Sequence, residues 1–125
     1  MHRLWVGIAF VAAALLSLGL VASGASANCG VDCKSTCAGH GIYEINWSLL
    51  CTGSSCTVLR TELYRACPHS TTWTLIATNP RSPYFDVQPT SVCAAAGFQY
   101  RVDVVWSCND GTGHGSCVAG PIYCP

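Results

Sequence analysis

Phe98-Gln99-Tyr100-Arg101-Val102-Asp103-Val104-Val105-Trp106-Ser107-Cys108 is the stretch whose reading decides the fold. Phe98, Tyr100, Val102, Val104 and Trp106 fall on alternate positions, and Gln99, Arg101, Asp103 and Ser107 take the other side. That is the period of a half-buried β-strand. Val105 alone breaks it, placing an apolar residue on the polar side. A strand with one apolar face needs a second layer to cover it, and the flanking sequence supplies candidates.

Tyr43 to Leu49 alternates in the same way, with Tyr43, Ile45, Trp47 and Leu49 on the face expected to be core and Glu44, Asn46 and Ser48 opposite. Thr57 to Cys67 reads as a strand with Leu59, Thr61 and Leu63 inward and Arg60, Glu62 and Tyr64 outward. Thr72 to Thr78, carrying Trp73, Leu75 and Ile76, is a β-branched strand; Tyr84 to Val87 is a short one, and Cys117 to Cys124 is the last. Asn28 to Gly41 is expected to be an irregular or short first strand. Between them lie the turn Cys51 to Cys56, the turn Pro68 to Thr71, the proline-broken Asn79 to Pro83, the long connection Gln88 to Gly97 and a glycine-rich loop Asn109 to Gly115. Seven or so short strands with turn signals at regular spacing, and no helical period, predict an all-β, seven-stranded antiparallel β-sandwich.

Residues 1–27 read as a targeting segment. His2 and Arg3 form a basic start, Leu4 to Val21 is almost entirely apolar, and Ala25-Ser26-Ala27 is a signal-peptidase site. The mature domain then spans 28–125, secreted and extracellular. The apolar run also approaches the length of a membrane-spanning helix, and Cys29 lies near where a lipoprotein cysteine would stand. The cleavage site and the absence of a basic cluster after it favour cleavage, leaving no membrane contact once the signal is removed.

All ten cysteines follow residue 28, a density typical of disulfide scaffolds in oxidising compartments. Cys29-x-x-x-Cys33-x-x-x-Cys37 with His40 nearby raises zinc, but thiols pair in such a compartment and no second ligand pair answers the first. No metal or cofactor is expected. The mature chain has five basic residues (Lys34, Arg60, Arg65, Arg81, Arg101) against six acidic ones, so it offers no basic face for nucleic acid. Catalytic signatures are lacking as well. There is no Gly-x-Ser-x-Gly, Ser70 beside His69 reads as a polar turn, and Glu62 and Asp103 read as partners of Arg60 and Arg101 in cross-strand charge pairs. Asp110 to Gly115 lacks the spaced oxygens of a calcium loop. Asn46-Trp47-Ser48 is a glycosylation sequon, of consequence only in a eukaryotic source.

The order Ile45-x-Trp47, Thr61-Glu62-Leu63-Tyr64-Arg65, Trp73-Thr74-Leu75-Ile76-Ala77, Tyr84-x-Asp86 and Tyr100-Arg101-Val102-x-Val104 resembles a fibronectin type III domain. The resemblance runs from Tyr43 to Tyr123 and implies that Trp47 packs in the second strand and that Tyr100 is the tyrosine-corner residue. It also implies a binding or spacer module rather than an enzyme. In such a sandwich Cys29, Cys33, Cys51, Cys56, Cys108 and Cys117 lie toward one pole and Cys37, Cys67, Cys93 and Cys124 toward the other, both even counts. Cys108 with Cys117 and Cys67 with Cys93 are the pairs expected first. The function read from this is a monomeric, non-catalytic recognition module for an extracellular protein or glycan, with Asn109, Asp110, Gly111 and His114 as binding residues. A secreted enzyme inhibitor or toxin-like effector acting through a rigid loop is the alternative.

Overall fold

The computed structural model describes residues 28–53, 55–87 and 93–125. The expected signal peptide, Ser54 of the Cys51 to Cys56 turn and residues 88–92 of the long connection lie outside them. Seven strands form in order: β1 (Cys29–Gly39), β2 (Ile42–Cys51), β3 (Cys56–Ala66), β4 (Thr74–Thr78), β5 (Tyr84–Val87), β6 (Phe98–Cys108) and β7 (Gly111–Ile122). A 3-10 turn, Ala94–Ala96, precedes β6. Among the described residues no helix is long and apolar enough to cross a membrane.

The strands make two antiparallel sheets, β1-β2-β5 and β4-β3-β6-β7. Their facing sides bury one core, with Tyr43 and Ile45 from the first sheet against Leu63, Phe98, Tyr100, Val102, Val104 and Trp106 from the second. The chain is therefore a β-sandwich. β6 has the bounds that its alternation predicts, and it sits between β3 and β7, so that both of its backbone edges are paired while its apolar face meets the other sheet. The Tyr43 ring meets Phe98 edge-on at 5.6 Å and its hydroxyl accepts a hydrogen bond from the Cys124 backbone N–H at 3.1 Å, tying the chain end to the core.

Several expectations need correction. β1 is not irregular but an 11-residue strand, paired with β2 from Cys29↔Cys51 to Cys37↔Tyr43 and beyond. Its inward positions Cys29, Val31, Cys33 and Ser35 are half-buried while Gly30, Asp32 and Lys34 are exposed, so the alternation exists but is written in small residues. Trp47 is only half-buried, packed against the core rather than inside it. Leu59 points to solvent because a bulge between Val58 and Arg60 shifts the β3–β6 register around it.

The largest correction concerns Asn109 to Gly115. The β6–β7 connection is a tight turn at Asn109 and Asp110, and β7 begins at Gly111. The glycines serve packing rather than flexibility. A Cβ on Gly113 would lie 2.6 Å from Trp106 Nε1, and one on Gly115 would lie 3.2 Å from Trp106 Cη2, so the indole occupies the space that side chains would take on the neighbouring strand. Gly113→Ala is expected to destabilise the domain by about 1–3 kcal/mol, because the buried Trp106 ring has to move. Gly30→Ala, where nothing lies within 4 Å, is the control. Urea denaturation of the oxidised proteins should separate the two variants, and equal midpoints would remove the packing role.

All ten cysteines are paired, as Cys29–Cys51, Cys33–Cys117, Cys37–Cys124, Cys56–Cys108 and Cys67–Cys93. Cys67–Cys93 is as expected, and no bridge joins the two groups assigned to opposite poles. Cys108 does not pair with Cys117. With the turn at 109–110, Cys108 stands opposite Gly111 and Cys117 stands opposite Val102, far along β6. Three bridges start on β1, and two of these, Cys33–Cys117 and Cys37–Cys124, fasten the first sheet to β7 and the chain end.

Candidate functional site

The four residues expected to bind do not converge. Asn109, Asp110 and Gly111 are exposed at the tip of the β6–β7 hairpin, whereas His114 is exposed within β7, opposite Val105. The tip is short and stiff. Cys56–Cys108 ties the end of β6, at its base, to β3, and nearby Cys29–Cys51 and the Thr52 N–H to Asn28 carbonyl bond (3.0 Å) tie the end of β2 to β1.

A broader surface lies on the outer face of the four-stranded sheet. Strand register sets Leu75, Tyr64, Arg101 and Val118 in one row across all four strands. The Arg101 guanidinium lies over the Tyr64 ring at 4.3 Å and within 5.1 Å of the Trp73 ring, a cation shared by two aromatics. Its Nε and Nη2 donate to the two Asp103 oxygens at 3.0 and 3.2 Å, so three groups hold its orientation. Around this centre Leu75, Val105 and Val118 are 46%, 38% and 55% exposed, which makes the face apolar as well as ordered. The one sequence signal for it was Val105, the residue that breaks the alternation of β6.

The charge pattern of this face differs from expectation. Glu62 and Asp103 stand directly opposite one another, acid facing acid, and the ion pairs run along the strands as Arg60–Glu62 and Arg101–Asp103. Each arginine offsets the repulsion its own carboxylate meets across the ladder. The face carries no net charge from these four groups. The Tyr64 hydroxyl also donates to Glu62 at 3.3 Å.

Inside the sandwich a polar triad bridges the sheets. Arg65 Nη1 on β3 donates to both Asp86 oxygens on β5, at 2.9 and 2.8 Å, and the Tyr100 hydroxyl on β6 donates to Asp86 Oδ2 at 2.6 Å. Burial, and then the Asp86 carboxylate, push the Tyr100 phenol far above the usual tyrosine range. Tyr100 therefore stays neutral, and Asp86 has its oxygens committed to Arg65 and Tyr100. The arrangement suits structure rather than acid–base chemistry. It also departs from a tyrosine corner, in which the hydroxyl bonds to backbone rather than to a carboxylate.

Cavities flank the sandwich among the described residues. One, of about 270 Å³, is lined by Arg65, Cys67, Ser70, Thr72, Cys93 and Phe98 among others; a second, of about 170 Å³, lies beside Asp32, Lys34, Asn46 and Trp47. Ser70 does not carry a nucleophile's geometry: its Oγ accepts the Thr72 N–H at 3.0 Å and its carbonyl accepts from Gln99 at 2.9 Å. Asn46 faces outward as the alternation requires, with Nδ2 donating to Glu44 at 3.0 Å. Three sulfurs, those of Cys29, Cys56 and Cys108, lie close enough to share a metal ion, but each is in a disulfide and offers no thiolate. Comparison with family models, with curated proteins and with solved structures found no match to this chain. The surfaces themselves carry the functional argument.

Proposed function

We propose that this chain is a secreted, fibronectin type III-like recognition module that binds an extracellular protein through the outer face of its four-stranded sheet. The carrying observation is the Tyr64–Arg101–Trp73 cluster set among exposed Leu75, Val105 and Val118. Tyrosine, tryptophan and arginine are the residues that most often dominate binding energy, and a pre-ordered arginine loses little entropy on docking. Flat aliphatic surface favours a protein partner over a glycan. Extensive disulfide bonding fits an extracellular protein. The family reading is supported by the three-plus-four strand division and by the pairing of the fourth strand with the third, although Tyr100 uses a different partner.

The test is capture of a partner from the protein's own extracellular milieu. Arg101→Ala should weaken capture by about 2 kcal/mol or more, whereas replacement of Asn109 and Asp110 should leave it intact. Capture that survives Arg101→Ala and Val118→Asp but fails in the turn variant would move the site to the hairpin tip. The stiffness of that tip favours the second reading, a rigid-loop inhibitor. Stoichiometric inhibition of a protease or glycosidase by the purified domain, lost on replacing Asn109 and Asp110, would establish it.

A further inference from the structure

Two disulfides meet at the pole that holds the hairpin tip. Cys29 and Cys51 are directly opposite on β1 and β2, and Cys56 and Cys108 are directly opposite on β3 and β6, so each bridge belongs to a different sheet. The Cys29 sulfur lies 3.5 Å from that of Cys56 and 3.9 Å from that of Cys108. None of these sulfurs carries a proton, so this is a non-bonded contact between neighbouring bridges. The four cysteines also differ in setting. All four are half-buried and stand at strand ends, but Cys29, Cys56 and Cys108 pack against the core whereas Cys51 is not part of that packing.

We propose that these two bridges form a single thiol–disulfide exchange site, entered at Cys51 by a low-molecular-weight thiol and relayed through Cys29. Exchange proceeds by attack of a thiolate on one sulfur of a disulfide, with the other sulfur leaving as thiolate. The incoming thiolate bonds to the Cys51 sulfur, breaks Cys29–Cys51 and releases Cys29 as thiolate. Cys29 then bonds to the Cys56 sulfur, breaks Cys56–Cys108 and releases Cys108 as thiolate, which takes up the proton lost by the entering thiol. Two disulfides are broken, and one mixed disulfide and one new intramolecular bridge are formed, so the number of disulfide bonds and of thiols is unchanged and no oxidant is required.

The contact sets the order of events. Cys29 is nearly equidistant from both sulfurs of its neighbour, a side-on approach, whereas displacement requires attack along the bond. Release from Cys51 frees Cys29 to turn about its Cα–Cβ bond into that line. The product bridge, Cys29–Cys56, joins the two sheets at their ends instead of closing each one separately. Cys51 and Cys108 are then unbridged, which releases the end of β2 from β1 and the end of β6 from β3 together. The other three bridges keep the sandwich assembled, since Cys33–Cys117 and Cys37–Cys124 still fasten β1 across to β7 and the chain end.

The experiment treats the oxidised full domain with reduced glutathione, alkylates under native conditions and maps the linkages by mass spectrometry. The expected product carries glutathione on Cys51, the alkyl group on Cys108 and a Cys29–Cys56 linkage, with the near-ultraviolet dichroism of the folded domain retained. Alkylation of Cys29 with Cys56–Cys108 intact overturns the relay, as does loss of the tertiary signal before the new linkage forms. Cys51→Ser is a second arm that needs no added thiol. There Cys29 should be found bridged to Cys56 with Cys108 alkylated; Cys29 recovered as the alkylated thiol overturns the proposal.

Discussion

Full reduction of the five disulfides is expected to unfold the domain in one step and to abolish the near-ultraviolet dichroism of Trp47 and Trp106. The bridges span separations of 22, 84, 87, 52 and 26 residues, and the two longest close nearly the whole domain. In the chain-entropy account each bridge stabilises by about 3–5 kcal/mol, more for longer loops. Their combined effect exceeds the roughly 5–15 kcal/mol by which a domain is ordinarily stable, even when the contributions are not additive. Burial cannot compensate at this size, because a chain of about a hundred residues builds only a modest core. The measurement is circular dichroism against reductant concentration, with alkylation of unreduced protein as the companion. No cysteine should be modified before reductant is added. A reduced chain that kept its tertiary signal would show that packing alone holds the sandwich.

Asp86→Ala should cost about 3 kcal/mol in the oxidised protein. Removing one partner of a buried ion pair leaves the other charge uncompensated, at a typical cost of about 3–5 kcal/mol. The lower end applies because the Arg65 side chain is 22% exposed and can recover some water, against 10% for Asp86. The same change leaves the Tyr100 hydroxyl without its acceptor. Tyr100→Phe removes only that hydrogen bond and should cost about 1–2 kcal/mol, and Asp86→Asn should fall between the two, since it keeps an acceptor but loses the charge. Urea midpoints of the three variants test the ranking. A loss below about 1 kcal/mol for Asp86→Ala would mean that the triad does not join the sheets energetically.

The exposed face gains from this internal architecture. Arg65 and Arg101 are both on strands of the larger sheet, yet one is drawn inward by Asp86 and the other lies outward between aromatics. The triad and the Cys56–Cys108 bridge tie β3 and β6 while ladder pairing holds β4 and β7 beside them, and that register is what sets Leu75, Tyr64, Arg101 and Val118 in a row. A binding surface on strands is more sharply defined than one on loops.

Strand identity was legible in the sequence wherever one face alternated strongly. Phe98 to Cys108 and Tyr43 to Leu49 show this, because the two-residue period is a local property of each segment. The even division of cysteines between poles was legible too, since it depends only on how many strands the chain has crossed. Their pairing was not. Whether Cys108 meets Cys117 or Cys56 depends on turn length and inter-strand register, which belong to two segments at once, and a two-residue turn at 109–110 moved Cys117 opposite Val102. The glycines after Asp110 signalled a loop only because Trp106, which fills their missing side-chain volume, lies on a different strand. For the same reason the row of Leu75, Tyr64, Arg101 and Val118 was invisible, as its members come from four strands and become neighbours only when the sheet forms. The sequence by itself determined the core face of β6 and much of that of β2, because there each residue's own solubility in water agrees with the pleat; it misplaced Leu59, which a bulge turns to solvent, and gave no sign that Asp86 is buried while Phe85 and Val87 are exposed. The tertiary structure alone decided which of the outward residues stand together, because adjacency across a sheet is set by register.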